Sequence, residues 1–251
     1  MTNTNFKKHQ DITISVIVPV FNEISTIGYL LESVNEVVCE GICLEILVVD
    51  DGSTDGTREF LIGHPDLYAS LQLNKSNMGK GGAVQQGLRE AKGDYVLFQD
   101  ADLEYDPKEY VKLFLPVLKH GADVVMGSRF LAPEWTKVFY FYHKIGNKLI
   151  CLLFNLLFNT TWTDIYSCYL LFKRSLIDPE KLKTLGWEQQ AEILGNICLQ
   201  KPELYEVPIN YNGRSYEQGK KIRWHHTFKV LFTIIKTRIF PTKHSLKSRG
   251  K

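Results

Sequence analysis

The densest chemistry in the chain lies in FQDADLEYDP, residues 98–107. An apolar run delivers Asp100 and Asp102, and Glu104 follows two residues later. Carboxylate oxygens at i, i+2 and i+4 just past a strand suit a hard divalent cation such as Mg²⁺ or Mn²⁺. A cation with open positions could neutralise a diphosphate and stabilise it as a leaving group. A bare Asp-x-Asp is also common as a solvated turn, so its surroundings decide. Upstream, VVDDGSTDG (48–56) places Asp50 and Asp51 after two valines. A carboxylate there can accept from a nucleobase N–H or a ribose hydroxyl, while Ser53, Thr54 and Asp55 also fit a helix cap. PVFNE (19–23) adds an aromatic ring, Phe21, and a carboxylate, Glu23. NKSNMGKGGA (74–83) is glycine-rich and sets Lys80 just before a helix. It is neither GxxxxGK[ST] nor a GxGxxG fingerprint in its usual place, though its backbone N–H groups could face an anion.

The elements that must position these groups alternate. Ile14–Val20 and Leu44–Val49 are short apolar, β-branched runs, and Leu71–Leu73, Tyr95–Phe98 and Asp123–Met126 are further strand candidates. Between them, Ile27, Leu30, Leu31, Val34 and Val38 recur at helical spacing, a helix of about a dozen residues follows Thr57, and others span 79–92 and 107–119. Strands alternating with helices imply a mainly parallel sheet, whose ligands collect at the carboxyl ends of its strands. The polar clusters Asn22-Glu23, Asp50-Asp51, Asp100–Glu104 and Ser128-Arg129 all fall at such ends and read as one site. The second half is less regular: a long helix over 138–158, a helix over 188–200, a strand over 204–209 and a basic amphipathic helix over 225–240 stopped by Pro241.

Length and charge narrow the class. The 251 residues fit one large domain with appendages and exclude a disulfide miniprotein or a disordered chain. Five cysteines, an odd number without CxxC, favour a reducing compartment over structural zinc. The N-terminus has no secretory pattern, and the longest apolar stretch is too short to span a bilayer. The net charge of +2 hides an asymmetry: from Gln218 onward ten Lys/Arg meet no acid, so the body carries −8. A basic end seeks an anionic partner. It lacks a nucleic-acid recognition motif and the body is acidic, so no nucleic acid is expected.

Taken in order and spacing, PVFNE, VVDDGSTDG, NMGKGGA, QDADLEYDP and GSRF resemble the nucleotide-sugar half of inverting glycosyltransferases of family 2. A second block, HKIGNKL, TDIYSCYLLFKR and EVPINYNGRSYEQGKKIRW, is similar to the polyprenyl (dolichyl)-phosphate mannose or glucose synthases. The resemblance implies an α/β, GT-A (Rossmann-like, nucleotide-sugar-binding) single domain with a mostly parallel central sheet. It would run over 13–217 after a polar tail (1–12), with a nucleotide-sugar half (13–131), an acceptor half (132–217) and the basic C-terminal segment 218–251. Pro19, Phe21, Glu23, Val48 and Asp50 would line the nucleoside pocket. Asp100, Ala101 and Asp102 would hold the sugar diphosphate, with Asp100, Asp102 and Glu104 on Mg²⁺ or Mn²⁺. Lys80, Arg129, Arg214, Lys220 and Lys221 would join the nucleotide-sugar site. Asp102, Arg129 and Asp164 would be catalytic, and Ser167 and Asn147 would face the acceptor. Glu104 stands where that family often has glutamine, and Cys168 where its DxxSG signature has glycine.

The chemistry so implied is attack by a polyprenyl phosphate oxygen on the anomeric carbon of GDP-mannose or UDP-glucose. A phosphate monoester is largely dianionic at pH 7 and needs little help from a general base. A glycan hydroxyl acceptor, as in capsule or cell-wall synthesis, would need one. A non-catalytic scaffold is the remaining alternative, opposed by the intact Asp100, Asp102 and Arg129. A lipid acceptor places the enzyme on a membrane, peripherally on the cytoplasmic face. The 138–158 helix and the basic tail helix are the candidates for contact with its anionic surface.

Overall fold

The computed structural model describes residues 11–135, 137, 141–213 and 226–241. The apolar runs form β1 (Ile12–Val20), β2 (Ile42–Asp50), β3 (Ser70–Leu73), β4 (Tyr95–Phe98), β5 (Val124–Ser128), β6 (Leu170–Lys173) and β7 (Leu204–Pro208). The helical segments are α1 (Ile27–Asn35), α2 (Thr57–Gly63), α3 (Lys80–Glu90), α4 (Tyr110–His120), α5 (Phe141–Phe158), α6 (Gln189–Cys198) and α7 (His226–Ile239). One sheet holds all seven strands in the order β3-β2-β1-β4-β6-β5-β7. Its central strands are sealed by Val16, Ile17 and Val18 of β1, Val96 and Leu97 of β4, and Val124 and Val125 of β5. Helix α3 lies so close on β1 that a Cβ at Gly87 would come 2.4 Å from Ile17 Cγ2.

Direction within the sheet decides what meets at its edge. β1, β2, β3 and β4 are mutually parallel, and β7 is parallel to β5. β6 is antiparallel to both of its neighbours, β4 and β5. The carboxyl ends of β1, β2, β4, β5 and β7 therefore open on one edge, together with the start of β6. The segment 163–169 arrives beside the residues that follow β4 and β5, and Ile209–Tyr211 arrive from β7.

The two halves share the sheet, since β6 of the second half lies between β4 and β5 of the first. Two expectations change. The helix after Thr57 is seven residues rather than a dozen. Gly63 and the non-helical His64 (φ −127°, ψ 60°) before Pro65 end it, since proline disfavours helix in the preceding residue. Residues 170–173, not singled out as a strand, form β6. The tail helix is present in its described part and docked: Val230 and Ile234 are buried, and Arg238 Nε donates to the Leu157 carbonyl at 2.8 Å. All five cysteines are free thiols.

Candidate active site

The loop after β4 is fixed from below. Gln99 is fully buried, and its Oε1 accepts from the hydroxyls of Tyr110 (2.7 Å) and Tyr169 (2.9 Å). Its Nε2 donates to the Asp100 carbonyl at 2.8 Å, so the first acidic residue is anchored through its own backbone. Asp102 Oδ1 accepts from the Glu104 amide at 3.1 Å. Between them Leu103 sits at φ 60°, a left-handed conformation that costs a residue with a Cβ roughly 1–2 kcal/mol. A buried network holds the turn in that shape, as is common where geometry matters more than local ease.

Three groups complete this corner. The Lys80 ammonium, from the first residue of α3, donates to Asp100 Oδ1 and lies 4.9 Å from the centroid of the Trp187 ring. Burial works against that charge, but Asp100, Cys168 and Asp102 outweigh it and raise the lysine pKa. Burial, with Asp100 alongside, pushes the Cys168 thiol well above its usual range, so it is a neutral thiol at pH 7. Tyr211 donates its hydroxyl to Glu104 Oε2; burial raises this phenol and keeps it protonated.

Opposite stands Arg129, just past β5. It makes a bidentate pair with Asp164, Nε to Oδ2 at 2.7 Å and Nη2 to Oδ1 at 2.9 Å, with its own amide on Oδ2 at 3.2 Å. Burial disfavours the guanidinium, yet Asp164 and the tyrosines around it raise its pKa. Its charge also lies 5.1 Å from the Tyr211 ring centroid. Asp164 is fully buried, and Oδ1 accepts the Tyr166 amide as well. It thus holds Arg129 with both oxygens and does not itself line the cleft.

On the nucleoside side, Asp50 is fully buried and binds Arg58 Nε (2.7 Å) and the Ser53 amide (3.2 Å). Asp51 accepts from Asn74 Nδ2 and from the amides of Met78 and Gly79 at 2.8–2.9 Å. Gly82 donates to the Leu185 carbonyl, and a Cβ at Gly81 would come 2.5 Å from the Leu185 carbonyl carbon. The glycine-rich segment thus does not offer these amides to an anion; its glycines let the 184–188 loop close down and bring Trp187 over Lys80. Pro19 and Phe21 are half-buried beside the end of β1. Thr26 links Glu23 to the site: its hydroxyl donates to the Ala101 carbonyl at 2.7 Å and lies 3.2 Å from Glu23 Oε2. Val48 is fully buried within β2.

Lys80, Asp100, Glu104, Arg129, Cys168, Trp187 and Tyr211 line one open cleft of about 620 Å³, its solvent-filled mouth included. Ser167 is fully buried, its carbonyl taken by Gln190, and Asn147 lies half-buried on α5; neither lines this cavity. Arg214, Lys220 and Lys221 lie outside the described residues. Trp187, Tyr211, Arg58 and Gln99 were missed. Only Trp187, before the helix-opening Glu188-Gln189, and Tyr211, just past a strand, carried a local signal.

Asp100 and Asp102 offer the hard oxygens that Mg²⁺ or Mn²⁺ prefers, and the Lys80 ammonium already marks Asp100 as a seat for positive charge. Among the described residues no three His, Cys, Asp or Glu side chains converge to hold a metal unaided. The expected triad of Asp100, Asp102 and Glu104 is therefore not a ready cage, and Glu104 is engaged by Tyr211. The residues fit a cation that takes one or two carboxylates and completes its shell with substrate phosphate.

The family profile described as glycosyl transferase family 2 matches residues 15–179. A dolichol-phosphate mannosyltransferase of Pyrococcus furiosus is 27% identical over 82% of the chain, which spans only 58% of that protein's length. An uncharacterised protein of Methanocaldococcus jannaschii is 31% identical over 90% of the chain and 93% of its own length. Among solved structures, glucosyl-3-phosphoglycerate synthase of Mycobacterium tuberculosis, in complex with Mn²⁺, UDP and glucosyl-3-phosphoglycerate, superposes with a TM-score of 0.66. It covers 92% of this chain and 82% of its own at 21% identity, a likeness of fold.

Proposed function

Because the chain belongs to glycosyltransferase family 2 and has a GT-A-like fold, we propose that it transfers a hexose from a nucleotide diphosphate sugar to a polyprenyl phosphate, inverting the anomeric carbon. The observation that carries this reading is the cavity in which Asp100 and Glu104 face Lys80 and Arg129 at the carboxyl edge of the sheet. Asp100 and Asp102 would hold Mg²⁺ or Mn²⁺, which when bound neutralises charge on the departing diphosphate. Asp164 keeps Arg129 in one orientation, so that this positive charge reaches the same leaving group with little reorganisation, and Lys80 adds a second. Asp50 and Glu23, beside Pro19, Phe21, Val48 and Ala101, would hold the nucleoside, with Arg58 fixing Asp50. The acceptor phosphate, with a second pKa of about 6, brings its own nucleophilic oxygen at neutral pH. That suits a site whose Asp164 is spent on an arginine and is not available as a base.

The test is a panel of GDP-mannose and UDP-glucose with a short-chain polyprenyl phosphate and Mg²⁺ or Mn²⁺, reading release of nucleoside diphosphate. Polyprenyl phosphate should raise that release at least tenfold in a metal-dependent way. Transfer to a sugar hydroxyl with no response to polyprenyl phosphate would contradict the acceptor, and no release from any donor would contradict catalysis.

A lipid acceptor calls for a membrane surface, and two packed helices supply a face for it. On α5 Phe141, Ile145, Leu149, Leu152 and Leu156 form one exposed stripe; on α7 Phe228, Phe232, Ile235 and Ile239 form another. The exposed Lys144, Lys148, Lys229 and Lys236 accompany them. Apolar stripes with lysines beside them suit the headgroup region of anionic bilayers, each basic residue adding about 1 kcal/mol near the surface. Among the described residues no helix is long and apolar enough to cross a membrane. The chain should float with vesicles containing anionic lipid, and Leu156→Glu with Phe232→Glu should abolish flotation without unfolding. Flotation unchanged by that pair would remove the face from the account.

A further inference from the structure

The contact between Lys80 and Asp100 poses a problem for the metal reading. The lysine donates to the oxygen a divalent cation would need, and two cations cannot share one carboxylate oxygen without strong repulsion. The lysine side chain is only 22% exposed, with Trp187 over it and Cys168 and Asp102 near. Its backbone is equally fixed. Gly79 is tied to Asp51, Gly82 to the Leu185 carbonyl, and Gln189 Nε2 to the Gly81 carbonyl at 2.6 Å. Any exchange at Asp100 must therefore come from the side chain, a flexible four-carbon stem that can re-aim its ammonium within the cavity.

We propose that Lys80 is a built-in counter-cation that occupies Asp100 until a nucleoside diphosphate arrives, so that metal and nucleotide enter the site together. The inference rests on the metal-and-nucleotide reading above and adds the device that couples them. With the site empty, Lys80 balances Asp100 and holds metal affinity down. A diphosphate offers the ammonium new anionic partners and offers the metal further oxygens, where the described residues alone form no three-residue cage. The lysine then moves from carboxylate to phosphate, and one side chain serves as latch in the empty site and as phosphate ligand in the filled one. Coupling of this kind is reciprocal: nucleotide tightens metal by the same factor that metal tightens nucleotide. It also keeps a lone divalent cation from filling the site unproductively.

Mn²⁺ binding, read from the electron paramagnetic resonance of the free ion, tests this without turnover. Wild type, Lys80→Met and Lys80→Gln are titrated with Mn²⁺ alone, then with saturating UDP, then with GDP. Gln keeps a hydrogen-bond donor for Asp100 if the apolar variant folds poorly, and melting curves verify both. The neutral variants should bind Mn²⁺ alone at least tenfold more tightly than wild type, and the tightening produced by nucleotide should shrink by at least tenfold. A folded neutral variant with wild-type affinity for Mn²⁺ alone overturns the role of Lys80, while the metal reading stands if wild type binds Mn²⁺ with nucleotide. Failure of wild type to bind Mn²⁺ with either nucleotide overturns the metal reading and this inference with it.

Discussion

Asp102→Ala should lower hexose transfer about a thousandfold and leave the fold intact. The side chain is half-buried at a loop whose conformation is set from beneath by Gln99, Tyr110 and Tyr169, so losing one carboxylate does not release the loop. Asp102 Oδ1 accepts from the Glu104 amide two residues on at 3.1 Å, and losing one such bond costs about 1 kcal/mol. Its chemical role under the proposed mechanism is much larger. Stabilising a departing diphosphate through a cation is worth several kcal/mol, and about 4 kcal/mol corresponds to a factor near a thousand. Nucleoside diphosphate release across a Mn²⁺ titration, with circular dichroism and melting as controls, measures both halves. A wild-type rate in this variant with metal chelated would remove the cation from the mechanism.

Asp164→Ala should have the opposite signature, a large loss of stability. Asp164 is fully buried, and Arg129, only 11% exposed in its side chain, depends on both of its oxygens. Removing one partner of such a pair leaves an uncompensated buried charge, at a cost of about 3–5 kcal/mol. For a chain of this size that lowers Tm by roughly 10 °C. Replacing both residues by leucine should recover most of the stability, because the pair itself gains little over apolar packing, and should still abolish transfer, because Arg129 is gone. An Asp164→Ala protein melting like wild type would show that the arginine does not depend on it.

The sequence reading succeeded where information is local and failed where partners lie far apart in the chain. Runs such as ISVIVPV and LEILVV announce buried strands, and polar residues at their ends announce one edge, so Asp50, Asp100 and Arg129 were legible together before any coordinates. Leu170–Lys173 was not read as a strand, because four apolar residues inside a longer motif have no period of their own. That one omission hid why Asp164 and Cys168 reach the site, since only an antiparallel strand between β4 and β5 delivers them there. The pairs that define the electrostatics are equally non-local: Arg129 with Asp164 across 35 positions and Tyr211 with Glu104 across 107. Lys80 was noticed for its charge beside glycines. Its real neighbours are Asp100 and Trp187, and the glycines serve the approach of the Leu185 carbonyl.

The fully buried Ser167 and Asp164 carry a related lesson. Residue type placed both at the site; in the fold Ser167 Oγ accepts the Tyr169 amide at 3.3 Å, just before β6, and Asp164 holds Arg129. Side chains that touch the cavity are instead a mixture of charge and ring, Lys80 beneath Trp187 and Arg129 beside Tyr211.

The most direct measurement is anomalous diffraction from crystals soaked with Mn²⁺ and a nucleotide sugar. The account predicts a manganese peak within bonding distance of an Asp100 or Asp102 oxygen, bridged to the diphosphate. A bound nucleotide with no manganese at either carboxylate would contradict it.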